Sequence, residues 1–330
     1  MQLIINTYGA YLHIKDDMFE VRIKKDGEVK KSHFASQKIK SIQLSKGSSL
    51  SSDAIILAMK NNIDILIFEY DGMPIGRFWH SRPGSTSKIR KMQLEASLNE
   101  ISLVWIREWL TKKLGNQAEF MKRLKSHRPK QEADIQEKID IVEKQKSKIE
   151  DINADKVSDI DDTLRGHEGT AGRVYLQCLS SLLTKRYQFS GRSFRPATDA
   201  FNAFINYAYG VLYSRVEKSL IVAGIDPFVG FMHRDDYNTK SMVFDFIEPY
   251  RIYADEVVFK LFSGKKVNDS HTQSITNGVS LNADGKTLLL QSLIKFLDED
   301  KIRYKGRNQT RINAMQMDAH DFANQLIQKK

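Results

Sequence analysis

The chain has 330 residues, 41% of them hydrophobic and 28% charged, with 51 Lys and Arg against 41 Asp and Glu for a net charge of +10. Such a length favours two domains over one, and such a balance supports a sizeable core and excludes wholesale disorder. The basic excess, with a pI near 9.4, points to a phosphate-bearing partner, although a merely soluble basic protein shows the same sum.

Cys178 is the only cysteine, which excludes an internal disulfide and a thiolate zinc cluster. Its neighbours Val174, Leu179 and Leu182 suit a buried, inert thiol. The opening MQLIINTYGAYLHIK lacks the pattern of a secretory leader, and no apolar run is long enough to span a bilayer. A cytoplasmic location with no membrane partner is the expectation.

In chain order, Leu3 to Asn6, Tyr11 to Lys15, Met18 to Lys24 and Ile39 to Leu44 are short β-branched or alternating runs separated by turn residues, which predicts strands. Ser51-Ser52-Asp53 offers an N-cap for the helix AIILAMKNN. Ile63 to Tyr70 is a nearly continuous apolar run suited to a buried strand, and Asp71-Gly72 turns into a further strand from Met73 to Trp79. The Pro- and Gly-interrupted stretch Ser81 to Lys88 then marks a change of period from two to about 3.6 residues. Helices are predicted over Ile89 to Lys125, Gln131 to Ile152, Glu168 to Thr184, Asp199 to Ala223, Ser241 to Phe262, Asn282 to Leu297 and Asn308 to Gln328. The fold class is therefore α+β: a small β-rich N-terminal domain (1–82), a linker (83–90) and a larger all-α C-terminal domain (91–330).

Three patches carry residue types suited to chemistry. In Arg165-Gly166-His167-Glu168-Gly169, two glycines bracket a carboxylate at the predicted opening of a helix. An ordinary first-turn acid complementing the helix dipole reads the same way. Asp226-Pro227-Phe228-Val229-Gly230-Phe231-Met232-His233 is an apolar loop ending in an imidazole between two long helices. In Phe244-Asp245-Phe246-Ile247-Glu248-Pro249-Tyr250-Arg251, Asp245 and Glu248 are i and i+3 on an apolar helix. Two such carboxylates repel unless a cation lies between them, and Pro249 predicts a kink beside them. A mostly oxygen donor set with one imidazole and no thiolate favours Mg²⁺ or Mn²⁺ over zinc. An ion of that kind in a basic chain points to phosphodiester chemistry. No phosphate-binding loop, dinucleotide fingerprint or serine-hydrolase elbow is present in the sequence.

At these residues the sequence resembles the Cas one family of CRISPR-associated adaptation integrases. Four blocks carry the resemblance in order: Gly166-His167-Glu168-Gly169 with Tyr175; Arg192-Ser193-Phe194-Arg195-Pro196 with Asn202 and Tyr209; Gly224-Ile225-Asp226-Pro227 with Gly230 and His233; and Asp245, Glu248 and Arg251. Two departures stand out, Ala197 where the family often has a second proline and His167 where it often has an aliphatic residue. The resemblance implies a homodimeric endonuclease and integrase that inserts short duplex DNA, as spacers, into a repeat array by metal-assisted transesterification. It implies Glu168, His233 and Glu248 as catalytic residues and metal ligands, Asp245 as an accessory carboxylate, and a small ferredoxin-like second Cas protein as partner. Beside it, Arg192, Arg195 and Arg251 are candidate phosphate contacts, and Tyr175 could orient a DNA end or simply fill the core. Two alternatives stay open: a DNA-repair nuclease acting on branched DNA, and a non-catalytic nucleic-acid-binding protein whose acidic cluster is a surface salt-bridge network.

Overall fold

A computed structural model describes residues 2–25, 27–39, 41–69, 74–78, 87–233 and 239–328. The N-terminal part holds two four-stranded sheets. One has the order β1-β5-β7-β8, formed by Gln2–Ile5, Ser41–Ser45, Asp64–Phe68 and Pro74–Phe78. The other runs β4-β3-β2-β6, formed by Glu28–Ala35, Met18–Lys25, Tyr11–Lys15 and Ser49–Leu50. Asp16 and Asp17, with φ of 51° and 56°, make the two-residue turn between β2 and β3, where short acidic side chains tolerate the left-handed region. Helix α1 (Ser52–Lys60) begins where the sequence predicts, the Ser51 side chain accepting from the Ala54 amide at 3.2 Å. Strand β4 has no counterpart among the predicted strands. It is lysine-rich and mostly exposed, so it lacks the apolar alternation by which strands are recognised.

Strand β7 explains its own continuous apolar run. Ile65, with Ile63 just before the strand, packs in the core of the β-rich part, while Leu66 and Phe68 point the other way into the core of the helical part. A strand covered on both faces shows no polar alternation.

Of the linker expected over 83–90, residues 83–86 lie outside the described residues and 87–90 are the first turn of helix α2, which runs from Ser87 to Ser97. The long helix predicted from Ile89 is two helices, because Asn99 breaks the chain and caps α3 (Glu100–Lys125), accepting from the Ile101 amide at 2.9 Å. Helices α4 (Glu132–Glu150), α5 (Asp161–Ser181) and α6 (Ala200–Ala223) follow. The last is capped at its start by the Asp199 side chain and closed by Gly224 at φ 90°. It is buried on nearly every face and serves as the axis of the helical part. The helix predicted over Ser241 to Phe262 is interrupted at Pro249: α7 (Ser241–Phe246), a 3₁₀ turn (Glu248–Tyr250) and α8 (Arg251–Ser263). Helices α9 (Ala283–Ile294) and α10 (Arg311–Ile327) complete the set.

Two hairpins sit among these helices, β9–β10 (Thr272–Ile275, Gly278–Leu281) and β11–β12 (Lys301–Tyr304, Arg307–Thr310). The start of the helix predicted from Asn308 is thus strand. Four-residue polar strands carry too little period to be read, although Asn277, the second loop residue between β9 and β10, is of a type that tolerates its φ of 60°. No helix among the described residues is long and apolar enough to cross a membrane.

Candidate metal and DNA site

The helical part encloses a cavity of about 260 Å³ whose walls include Glu168, His233 and Glu248 together with Arg192 and Arg251. Glu168 comes from the middle of α5. Because that helix starts at Asp161, Glu168 lies two turns inside it rather than at its opening, so the dipole reading of this residue does not apply. Gly166 and Gly169 face open space, and a Cβ at Gly172 would meet only Glu168 Oε1, at 3.9 Å. His167 turns away from the cavity, its Nδ1 lying 2.8 Å from Gln145 Oε1 on α4.

His233 is hung on the loop after α6, and the loop is fastened at both ends. At its start the fully buried Gln93 of α2 accepts from the Asp226 amide at 2.8 Å and donates to the Asp226 and Val229 carbonyls, both at 2.9 Å. At its end Asp245 accepts from the amides of Phe231, Met232 and His233, at 2.6, 3.0 and 3.2 Å, and from His233 Nδ1 at 2.6 Å. With Nδ1–H donating to Asp245, the lone pair of the imidazole is on Nε2. Between the fastenings Phe231 stacks on Trp109, centroids 6.2 Å apart and planes 5° apart. A Cβ at Gly230 would lie 2.5 Å from Ser241 Cβ, so only glycine fits. Asp245 and Glu248 each have their own set of protein partners.

Glu248 sits just past α7, 5% exposed. Its Oε1 accepts from Arg251 Nε at 2.8 Å, and its Oε2 is ion-paired with Lys113 Nζ at 2.5 Å. Burial alone would raise its pKa, but the charges of Arg251 and Lys113 outweigh burial and hold it at about 2. The Lys113 ammonium also donates to Glu168 Oε1, so it lies between the two glutamates. Among the described residues no three acidic, imidazole or thiol groups converge on one point in this arrangement.

Arg251 is committed inward: beyond Glu248 it donates to the Tyr213 hydroxyl at 3.0 Å and lies over the Tyr209 and Tyr213 rings. Arg192 is exposed, steadied by Asn202 Oδ1 at 2.8 Å, and also lies over Tyr209. Arg195 does not join them; it lines a neighbouring cavity with Phe194 and Asn206. Tyr175, 1% exposed, forms part of the cavity floor. Beside it Asp255 accepts from the Tyr209 hydroxyl at 2.7 Å, and burial, only partly opposed by the Tyr209 and Tyr175 hydroxyls, lifts its pKa to about 6.

Lys113, Asp255 and Arg165, whose guanidinium donates to the Met232 carbonyl at 2.9 Å, line the cavity without having been singled out from the sequence. A signal existed for Lys113. It occupies the core register of α3 with Ile106, Leu110 and Gln117, a lysine where period 3.6 calls for an apolar residue.

The donor set fits a hard divalent cation: two carboxylates and one oriented imidazole, with no thiolate, on the walls of one cavity. Oxygen and imidazole donors thus lie beside arginines on one cavity in the helical part of an α+β chain. The family model for CRISPR associated protein Cas1 matches residues 3–295, and the chain belongs to the Cas1 family. The CRISPR-associated endonuclease Cas1 1 of Archaeoglobus fulgidus is 28% identical over 319 residues, 93% of this chain and 91% of that protein. The endonuclease Cas1 2 of Saccharolobus solfataricus is 30% identical over 253 residues, 77% of this chain and 72% of that protein. Two solved structures share the fold. A casposase bound to integration product has TM-score 0.85 at 21% identity, covering 98% of this chain and 90% of that one. A Cas1 protein from Thermotoga maritima has TM-score 0.80 at 19% identity, covering 100% and 98%.

Proposed function

We propose that this protein is a metal-dependent DNA endonuclease and integrase of CRISPR adaptation, joining short duplex DNA to a repeat array by transesterification. The observation that carries the reading is the meeting of Glu168, His233 and Glu248, from three separate segments of the chain, on one cavity that Arg192 and Arg251 also line. Glu168 and Glu248 would hold Mg²⁺ or Mn²⁺, with His233 Nε2 as third donor. Bound there, the ion would neutralise charge on the phosphodiester and favour attack by a DNA 3′-hydroxyl.

The chain's own residues supply the rest. Asp245 fixes the ring and tautomer of His233, and Arg251 keeps Glu248 ionised and turned toward the cavity. Arg192, on the exposed rim, meets phosphate by a bidentate contact; Arg195 extends that basic track past Phe194. Tyr175 acts from the floor, packing beneath the DNA end rather than donating to it.

A second protein completes the machine in this reading, as in the Cas6-RT-Cas1–Cas2 complex. One chain of that complex shares this fold at TM-score 0.79 and 18% identity; the match covers 99% of this chain and 35% of that longer one. We assign the dimer contact to residues 1–82, where β4 and β8 stand at the ends of their sheets. The likeness to a casposase holding an integration product favours joining over repair cleavage as the main activity.

The test is strand transfer and cleavage on duplex and branched DNA with Mn²⁺, Mg²⁺ or excess chelator, wild type against Glu168→Gln. Activity should require the ion and disappear in the variant while DNA binding persists. Transfer that survives both chelator and substitution would refute the metal-site reading. Cleavage of branched DNA without joining would favour the repair nuclease.

A further inference from the structure

Lys113 has no part in the chemistry just described, yet it occupies the centre of the pocket. Its stem leaves α3 between Leu110 and Leu114, and its ammonium, on a residue 8% exposed, touches carboxylates carried by two other segments, Glu168 and Glu248. Its two ion pairs, one to each glutamate, are the geometry of an ammonium lodged between two carboxylates. A buried ammonium is retained only by its counter-charges.

Those counter-charges are the two carboxylates assigned to the divalent ion. One position between them cannot hold an ammonium and a divalent ion together, since like charges at contact distance repel strongly in a partly dry cavity. Lys113 has a flexible four-carbon stem and already lines the cavity into which it can withdraw.

We infer that Lys113 is a resident counter-ion that competes with the divalent cation for Glu168 and Glu248, so that loading the site means displacing the lysine. This rests on the metal-site reading above. In the metal-free protein the lysine holds α5 and the segment after α7 together across the cavity. Once displaced, its charge adds to that of Arg192 on the side from which DNA phosphate approaches.

The experiment is Mn²⁺ titration of chelator-stripped, full-length protein without DNA, followed by the loss of the free-ion EPR signal. Lys113→Met and Lys113→Gln should bind Mn²⁺ about tenfold more tightly than wild type or better, since a lost charge-assisted contact is worth at least that ratio. Glu168→Gln should bind about tenfold more weakly or worse. Equal or weaker binding in the Lys113 variants, with Glu168→Gln still weakened, would overturn the competition and leave the metal site standing. Unchanged binding in Glu168→Gln would overturn both. Wild-type protein gives an independent readout that needs no variant to fold: acylation of Lys113 by an amine reagent should rise when Mn²⁺ is added. Labelling unaffected by Mn²⁺ would refute displacement.

Discussion

Removing the Asp245 carboxylate should cost both stability and metal affinity, in amounts the geometry sets. Asp245→Ala strips the acceptor from three backbone amides and from the imidazole nitrogen of His233, all within 3.2 Å of it. A buried donor left unpaired costs about 1–3 kcal/mol. Water entering the vacated space satisfies some of these donors, which brings the expected loss to about 3–5 kcal/mol, the range for breaking a buried charged network. Asp245→Asn keeps one acceptor but presents its amide group to donors, and should cost about 2–3 kcal/mol. The imidazole then loses the partner that fixes its tautomer, so Mn²⁺ should bind about 10–100-fold more weakly. Urea unfolding under chelator measures the first quantity and Mn²⁺ titration the second. If Asp245→Asn unfolds at the wild-type midpoint and binds Mn²⁺ as wild type does, the loop is held by something else and the argument fails.

Asp255 should make the protein less stable as pH rises from about 4 to 7. Its folded pKa, near 6 against an ordinary 3.8, means that its contribution is fully present below the lower value and lost through the upper, about 3 kcal/mol in all. Asp255→Asn should remove that slope, and parallel pH profiles in urea would contradict it. Glu248 has the opposite sign, being stabilising above its ordinary pKa and losing that contribution as pH falls through about 2. Gly230→Ala should destabilise the protein by about 1–3 kcal/mol through overpacking against Ser241; an unchanged melting temperature would show that the loop gives way. Arg192→Ala should flatten the salt dependence of DNA binding by about one unit of slope, whereas an unaltered slope would remove this residue from the phosphate contacts.

The order of strands before helices was readable because period two and period 3.6 leave opposite traces, and caps such as Ser51 and Asp199 sit where their chemistry is needed. Other features had no local trace. The N-terminal turns of α5 carry Asp161, Asp162 and Arg165 among few apolar residues, so the helical period shows only from Glu168 onward although the helix begins at Asp161. Strand β4 and the two hairpins are too polar or too short for their period to show. Glu168, His233 and Glu248 could be picked from four ordered blocks, but their surroundings are set by residues far away in sequence. Lys113 stands 55 positions before Glu168, and Gln93 reaches 133 positions forward to Asp226. That the Asp245 carboxylate fastens a loop follows only from where residues 231–233 fold back, and spacing says nothing of it.

The double-sided strand β7 bears on how such a chain can be cut or recombined. Composition places the seam near residue 83, yet Leu66 and Phe68, which lie before it, are bricks in the wall of the helical part. A fragment starting after the seam would expose the apolar surface those side chains cover and should associate with itself or precipitate. Shuffling of the N-terminal part between relatives would succeed only when the incoming strand presents the same two side chains. The two halves thus share a wall at β7, although their compositions suggest separate modules.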